Sequence, residues 1–175
     1  MRTPRRIVTG HNNDGKSVFL STDAMENFNT LTPVNVWSNM EVPAILDHST
    51  ETPQRPSYFA PKNGAYFTIV RLDKPTPEEL ANPDVERKRL KDLFDSIGAP
   101  ECLTDQTRNA GMHRTPTIDY IVLLSGRITL LLDEGEVDLE QFDTVIQRGT
   151  NHAWVNKHDE PAILCAVMMG GVLPD

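Results

Sequence analysis

His113-Arg114-Thr115-Pro116-Thr117-Ile118-Asp119-Tyr120-Ile121-Val122-Leu123-Leu124 is the stretch whose reading decides the fold. Read as extended chain, its period of two places His113, Thr115, Thr117 and Asp119 on one face. It then runs into Tyr120–Leu124, a segment apolar enough to be buried on both faces. An imidazole and a carboxylate entering a core need partners or a ligand. Beyond two tight turns, Ser125-Gly126 and Asp133-Glu134-Gly135, a second group follows in Gln147-Arg148-Gly149-Thr150-Asn151-His152-Ala153-Trp154-Val155-Asn156, where His152, Trp154 and Asn156 alternate in the same way.

Working outward, the rest of the C-terminal part reads as strands: Asp119–Leu124, Arg127–Leu132, Glu136–Leu139, Thr144–Gln147, Ala153–Asn156 and Ile163–Met169. Short strands at close, regular spacing mean a sandwich or barrel. Upstream, Leu90, Leu93, Phe94 and Ile97 recur at helical spacing among charged residues, which predicts one amphipathic helix over 84–98 that packs outside a sheet, stopped by Gly98 ahead of Pro100. Ala65–Leu72 is aromatic and β-branched and reads as a buried strand. Near the N-terminus Ile7–Thr9 and Ser17–Leu20 flank the turn-rich run Gly10–Gly15, a hairpin signal. Between them, residues 21–62 are irregular, punctuated by Pro33, Pro43, Pro53, Pro56 and Pro61.

Composition narrows the function classes. A chain of 175 residues is about one domain's worth, so 1–175 reads as a single unit. The formal charge of −8 comes from 25 acidic against 17 basic side chains, and the one basic cluster is Arg2, Arg5 and Arg6. A phosphate-backbone partner needs a basic face, so nucleic acid is not expected. No apolar run is long enough to span a bilayer, and there is no signal-like segment. Cys102 and Cys165 have no metal-like spacing and suggest no disulfide framework. A cytoplasmic protein without a membrane partner is the expectation.

The two polar groups carry a resemblance. Gly111–Gly126 resembles the first cupin motif, in which two histidines and a glutamate precede a glycine turn, and Gly135–Asn156 resembles the second, with its glycine, histidine and asparagine. MHRTPTIDYIVLLSG and VIQRGTNHAWVN look like the small single-domain cupins, and RIVTGHNNDGKSVF like their opening strands. The resemblance implies an all-β jelly-roll barrel, with core motifs over 111–170, an N-terminal strand extension over 1–62 and one packed α-helix. It also implies a homodimer formed by exchange of N-terminal strands.

The departures set the chemistry. The usual three histidines and glutamate become His113, Thr115, Asp119 and His152, so Thr115 replaces a strong ligand with a weak one. The usual proline-glycine-aspartate turn becomes Gln141-Phe142-Asp143. Two imidazoles and a carboxylate are a set that suits a divalent iron, zinc or manganese ion. Without metal, the same His113, Asp119 and His152 form a general acid–base set. Resemblance implies dehydratases, decarboxylases and isomerases among proteins of this look. The expectation is therefore a lyase or isomerase acting on a small oxygenated metabolite of secondary metabolism. A metal-dependent dioxygenase and a non-catalytic ligand-binding module are the alternatives.

Around that centre, Thr115, Gln147, Trp154 and Tyr66 are candidates to contact substrate, with Trp37, Phe67 and Arg71 as possible neighbours at the mouth. Arg114 faces the other way and reads as an outward salt bridge. His11 reads as a turn residue, His48 and His158 as solvated surface, and Cys165 as small core.

Overall fold

The structure, a computed structural model, describes residues 3–28, 30, 32–47, 49–52 and 54–173. Arg2 of the basic cluster, the surface histidine His48 and the punctuating Pro53 lie outside the described residues.

The N-terminal hairpin forms. β1 (Arg5–His11) pairs antiparallel with β2 (Ser17–Ala24). The Asn12 side chain accepts from the Asp14 and Lys16 amides at the turn, and Gly15 supplies the left-handed residue there with φ 74°. The two strands form a sheet of their own, and His11 closes β1, exposed, instead of sitting in the turn.

Two further sheets make the barrel. The irregular stretch contributes an unanticipated strand, β3 (Val34–Asn39), which pairs with β4 (Ala65–Leu72). Its sequence hides the alternation because Val36 lies in a bulge that shifts the register between Asn35 and Trp37. With β5 (Thr117–Ser125), β8 (Thr144–Arg148) and β10 (Ala162–Gly170), these form a five-stranded antiparallel sheet ordered β3-β4-β10-β5-β8. The opposing sheet is β7 (Glu136–Leu139), β6 (Ile128–Leu132) and β9 (His152–Val155), in that order. Ile121, Leu123, Ile128, Leu130, Leu139, Leu164 and Ala166 meet between the sheets as the main apolar core, with Trp154 against it. This core fills one end of the barrel. Fully burying each large aliphatic chain contributes about 1.5–3 kcal/mol, so the core is ample to hold the two sheets together.

The helical run divides in two. α1 (Pro77–Ala81) begins with a capping box between Thr76 and Glu79, and Asn82 both ends it and caps α2 (Pro83–Ser96) through the Asp84 amide at 3.1 Å. α2 is the helix expected over 84–98, and α1 is an additional short helix ahead of it, separated because Asn82-Pro83 restarts the hydrogen-bond ladder. A 3-10 turn, Pro100–Cys102, follows. α2 buries Phe94 with Ala99 and Cys102. Among the described residues no helix is long and apolar enough to cross a membrane.

Candidate active site in the barrel interior

Register places the site. On the five-stranded sheet, Ser38 opposes Tyr66, Tyr66 opposes Met168, Met168 opposes Asp119 and Asp119 opposes Gln147. One row of inward side chains therefore crosses the whole sheet, and all five of them are buried. The next row in from it, through Thr68, Ala166 and Ile121, is already mostly apolar core.

The two histidines come from the other side. His113 and His152 form an isolated antiparallel bridge, His113 N–H to His152 O at 2.9 Å and His152 N–H to His113 O at 3.0 Å. Residues directly opposed in such a pair project to the same face, and the two rings lie 4.2 Å apart between centroids. Each ring is anchored identically: Nδ1 of His113 bonds the Gly111 carbonyl at 2.8 Å, and Nδ1 of His152 bonds the Thr150 carbonyl at 3.0 Å. A carbonyl only accepts, so each Nδ1 carries the proton and each Nε2 keeps its lone pair. Burial pushes both imidazoles below their ordinary value, and the neighbouring His113 helps take His152 down to about 3. Both rings are neutral at neutral pH. Phe94 of α2 packs on His113 at 5.0 Å, and Trp154 meets His152 edge-on at 6.0 Å.

Asp119 is the charged member. It is 6% exposed, and its Oδ1 is buried with no hydrogen-bond partner. Burial raises its carboxyl to about 6, against a smaller lowering by a hydrogen bond from Thr117. Thr115 and Thr117 share a hydroxyl contact of 2.8 Å. Because Thr117 donates to the carboxylate, Thr115 is the donor to Thr117, and the two hydroxyls form a chain ending on Asp119.

The other expected contacts divide. Gln147 is buried beside Asp119, but its amide N–H groups go to the Thr150 carbonyl, at 3.0 Å, and to the Thr150 hydroxyl. The Thr150 carbonyl therefore ties Gln147 and His152 together, and Gln147 acts on the histidine's anchor. Tyr66 is fully buried in the row, and its hydroxyl meets Met40 Sδ at 3.6 Å. Trp154 is half-buried wall. Phe67 alternates outward, and Arg71 pairs with Asp73 at 2.8 Å. Arg114 bonds the Gly149 carbonyl at 2.8 Å in place of the expected acid. Asn156 pins the β9–β10 connection by bonding the Leu72 and Glu160 carbonyls, each at 2.9 Å. Both cysteines are free, and burial raises their thiols, so neither is an activated nucleophile.

The metal set expected at His113, Asp119 and His152 does not close. Among the described residues no three His, Cys, Asp or Glu side chains converge to hold an ion. The two imidazoles adjoin, but the carboxylate comes from β5 of the five-stranded sheet while His152 comes from β9 of the other, and the Thr115–Thr117 hydroxyls are spent on the carboxylate. The donors present do not fit a three-ligand site.

Two residues escaped the sequence reading, Arg55 and Tyr58. Both lie in the irregular stretch, where no periodicity flags a direction. Arg55 lies 4.3 Å over the Tyr66 ring, and burial, with the charge of Asp119 adding to it, raises the Tyr58 hydroxyl to about 12.

The chain is similar to several known proteins. The cupin domain model matches residues 102–168. Phomopsin biosynthesis cluster protein D of Diaporthe leptostromiformis is 31% identical over 173 residues, covering 90% of this chain and 72% of that protein. The cupin-domain-containing oxidoreductase fogC of Aspergillus ruber is 30% identical over 152 residues, with 86% and 63% covered. The oxidoreductase virC of Hypocrea virens is 28% identical over 158 residues, with 89% and 69% covered. Among solved structures, a Cupin 2 conserved barrel domain protein from Salinispora arenicola is similar at TM-score 0.39 and 16% identity, covering 67% of this chain and 70% of that one. The Schizosaccharomyces pombe Cnp3 cupin domain is similar at TM-score 0.45 and 8% identity, covering 97% and 86%.

Proposed function

The chain belongs to the cupin family, and from that premise we propose that it is a proton-transfer enzyme of the lyase or isomerase type, acting on a small oxygenated metabolite inside the barrel. One observation carries the reading: a buried carboxylate, Asp119, with an unpartnered Oδ1 and a carboxyl raised to about 6. A base poised near the working pH is what abstraction of a proton next to a carbonyl requires. His113 and His152 present lone pairs at Nε2 and accept hydrogen bonds from substrate hydroxyls, which orients the substrate.

In the dehydratase form of the step, ionised Asp119 takes the proton from the carbon next to the carbonyl, and the electron pair moves to the carbonyl oxygen. The pair then returns, the bond to a β-hydroxyl breaks, and the leaving hydroxide takes the proton from Asp119 to depart as water. In the isomerase form, on an α-hydroxy carbonyl compound, the hydroxyl proton passes to the former carbonyl oxygen, and Asp119, after exchanging its proton with solvent, protonates the former carbonyl carbon. The Thr115–Thr117 hydroxyl chain holds the carboxylate in place through both.

The test is incubation in D2O with a panel of small hydroxy-carbonyl compounds, read by mass spectrometry. The expected result is deuterium uptake or loss of water with the wild type, abolished in Asp119→Asn. An Asp119→Asn variant as active as the wild type overturns the reading. A second reading, an oxidoreductase, is favoured by the names of fogC and virC. It is distinguished by consumption of oxygen or of a redox cofactor in the same incubations.

A further inference from the structure

We propose that Arg55 and Tyr58 form a carboxylate-binding subsite at the barrel mouth, so that the substrate is a small carboxylic acid; this rests on the proton-transfer reading and names its substrate class. The argument begins with an unbalanced charge. The Arg55 guanidinium donates Nε–H to Ser38 Oγ at 3.3 Å, one Nη1–H to Thr68 Oγ1 at 2.7 Å, and its Nη2 hydrogens to the Trp37 and Phe67 carbonyls at 3.3 and 2.9 Å. Each acceptor is neutral. Among the described residues no carboxylate pairs with this arginine, although it is half-buried on the Tyr66 ring. Withdrawing a cation from water without an anion is costly, and burial accordingly pushes Arg55 down to about 10. The arrangement is one that an incoming anion completes.

Donor arithmetic selects the anion. A guanidinium has five N–H groups; four are engaged, which leaves one on Nη1. Among the described residues the Tyr58 hydroxyl makes no hydrogen bond, and its raised value keeps it protonated as a donor. One N–H and one O–H match the two oxygens of a carboxylate. A phosphate dianion has three oxygens to satisfy, and among the described residues lining the cleft Arg55 is the one cation.

Access and reach are consistent with this. A surface cleft of about 360 Å³ is lined by Asn35, Arg55, Ser57, Tyr58, Asp95 and Gly98, so both donors are reached from outside. The one acid on its rim, Asp95, is neutralised by Lys91 at 2.5 Å. Inward, Tyr66 beneath Arg55 and Asp119 are two strands apart in the same row, roughly 10 Å along the sheet. Because the Asp119 charge already acts on the Tyr58 hydroxyl, a carboxylate held by Tyr58 and Arg55 would leave the rest of the acid extending toward Asp119.

The experiment is calorimetric titration of the full chain with acetate, lactate, 3-hydroxybutyrate, benzoate and 4-hydroxybenzoate, each beside its neutral amide. At least one acid should bind about 10-fold or more tightly than its amide, the worth of a charge-assisted hydrogen bond. Arg55→Gln should remove that discrimination, and Tyr58→Phe should weaken the acid about 10-fold while sparing the amide. Arg55 also ties β3 to β4, so if its variant fails to fold, Tyr58→Phe decides alone. Acids binding no more tightly than amides, including no binding at all, or discrimination surviving Tyr58→Phe, would overturn the proposal. Binding without isotope exchange sinks only the proton-transfer reading, and exchange without charge discrimination sinks only the carboxylate subsite.

Discussion

Replacing Asp119 with asparagine should make the protein more stable while disabling it. The side chain is 6% exposed, and its carboxyl sits at about 6 against an ordinary 3.8. At 1.36 kcal/mol per pKa unit, ionising it in the folded state costs about 3 kcal/mol more than in the unfolded chain. A group with a raised folded value contributes stability that is full below its unfolded value and is lost as pH rises through the folded one. The window therefore runs from just below 4 to above 6. Asparagine keeps the shape without the charge, although its amide inherits the unpartnered position of Oδ1, so the net gain expected at pH 8 is about 2 kcal/mol. For a chain of this length that is a rise in Tm of about 4–8 °C. The assay is thermal and urea unfolding of both proteins from pH 3.5 to 8. The variant's advantage should open between pH 4 and 7 and give way at the acid end, where both side chains are uncharged, to a deficit of about 1 kcal/mol from the amide's position. Comparing the two proteins cancels the histidines, whose lowered values act in the opposite sense, their stability being lost as pH falls below 6.5, for His152 down toward 3. A variant equal to or less stable than the wild type at pH 8 would refute the claim that Asp119 is held desolvated.

Three other outcomes are expected. His152→Ala should fold, lose about 10²–10⁴-fold in turnover of any substrate found, and flatten the acid limb of the stability profile; a wild-type rate would remove His152 from the site. Phe142→Gly should raise stability by about 1 kcal/mol in urea unfolding, because Phe142 holds φ 75° and is 70% exposed, so strain is relieved with little packing lost. Elemental analysis of the purified protein should find no stoichiometric iron, zinc or manganese held by His113, Asp119 and His152, since those donors do not converge; one ion per chain, lost in His113→Ala, would contradict this.

The barrel is legible because short apolar strands recur at close, regular spacing between turn residues. His113, Asp119 and His152 stand out as candidates in the sequence because polar groups at a period of two leading into apolar chain have to be explained by what they face. The structure brings the two histidines together and places Asp119 on the five-stranded sheet and His152 on the other, a division that linear spacing does not encode. β3 stayed hidden because a bulge breaks its period, and α1 because its five residues are too short to show a helical repeat. Arg55 and Tyr58 were invisible for a related reason. They lie in irregular chain, where direction is set by long-range bonds such as Arg55 to Thr68 and not by any local repeat.

The most direct test of the central claim is an NMR titration of the Asp119 side-chain carboxyl carbon and the ring nitrogens of His113 and His152, on the wild type from pH 4 to 8. The account expects a carboxyl midpoint near 6, with both imidazoles neutral and protonated on Nδ1 throughout the upper half of that range. A carboxyl midpoint at or below 4, or an imidazolium signal at pH 7, would contradict it.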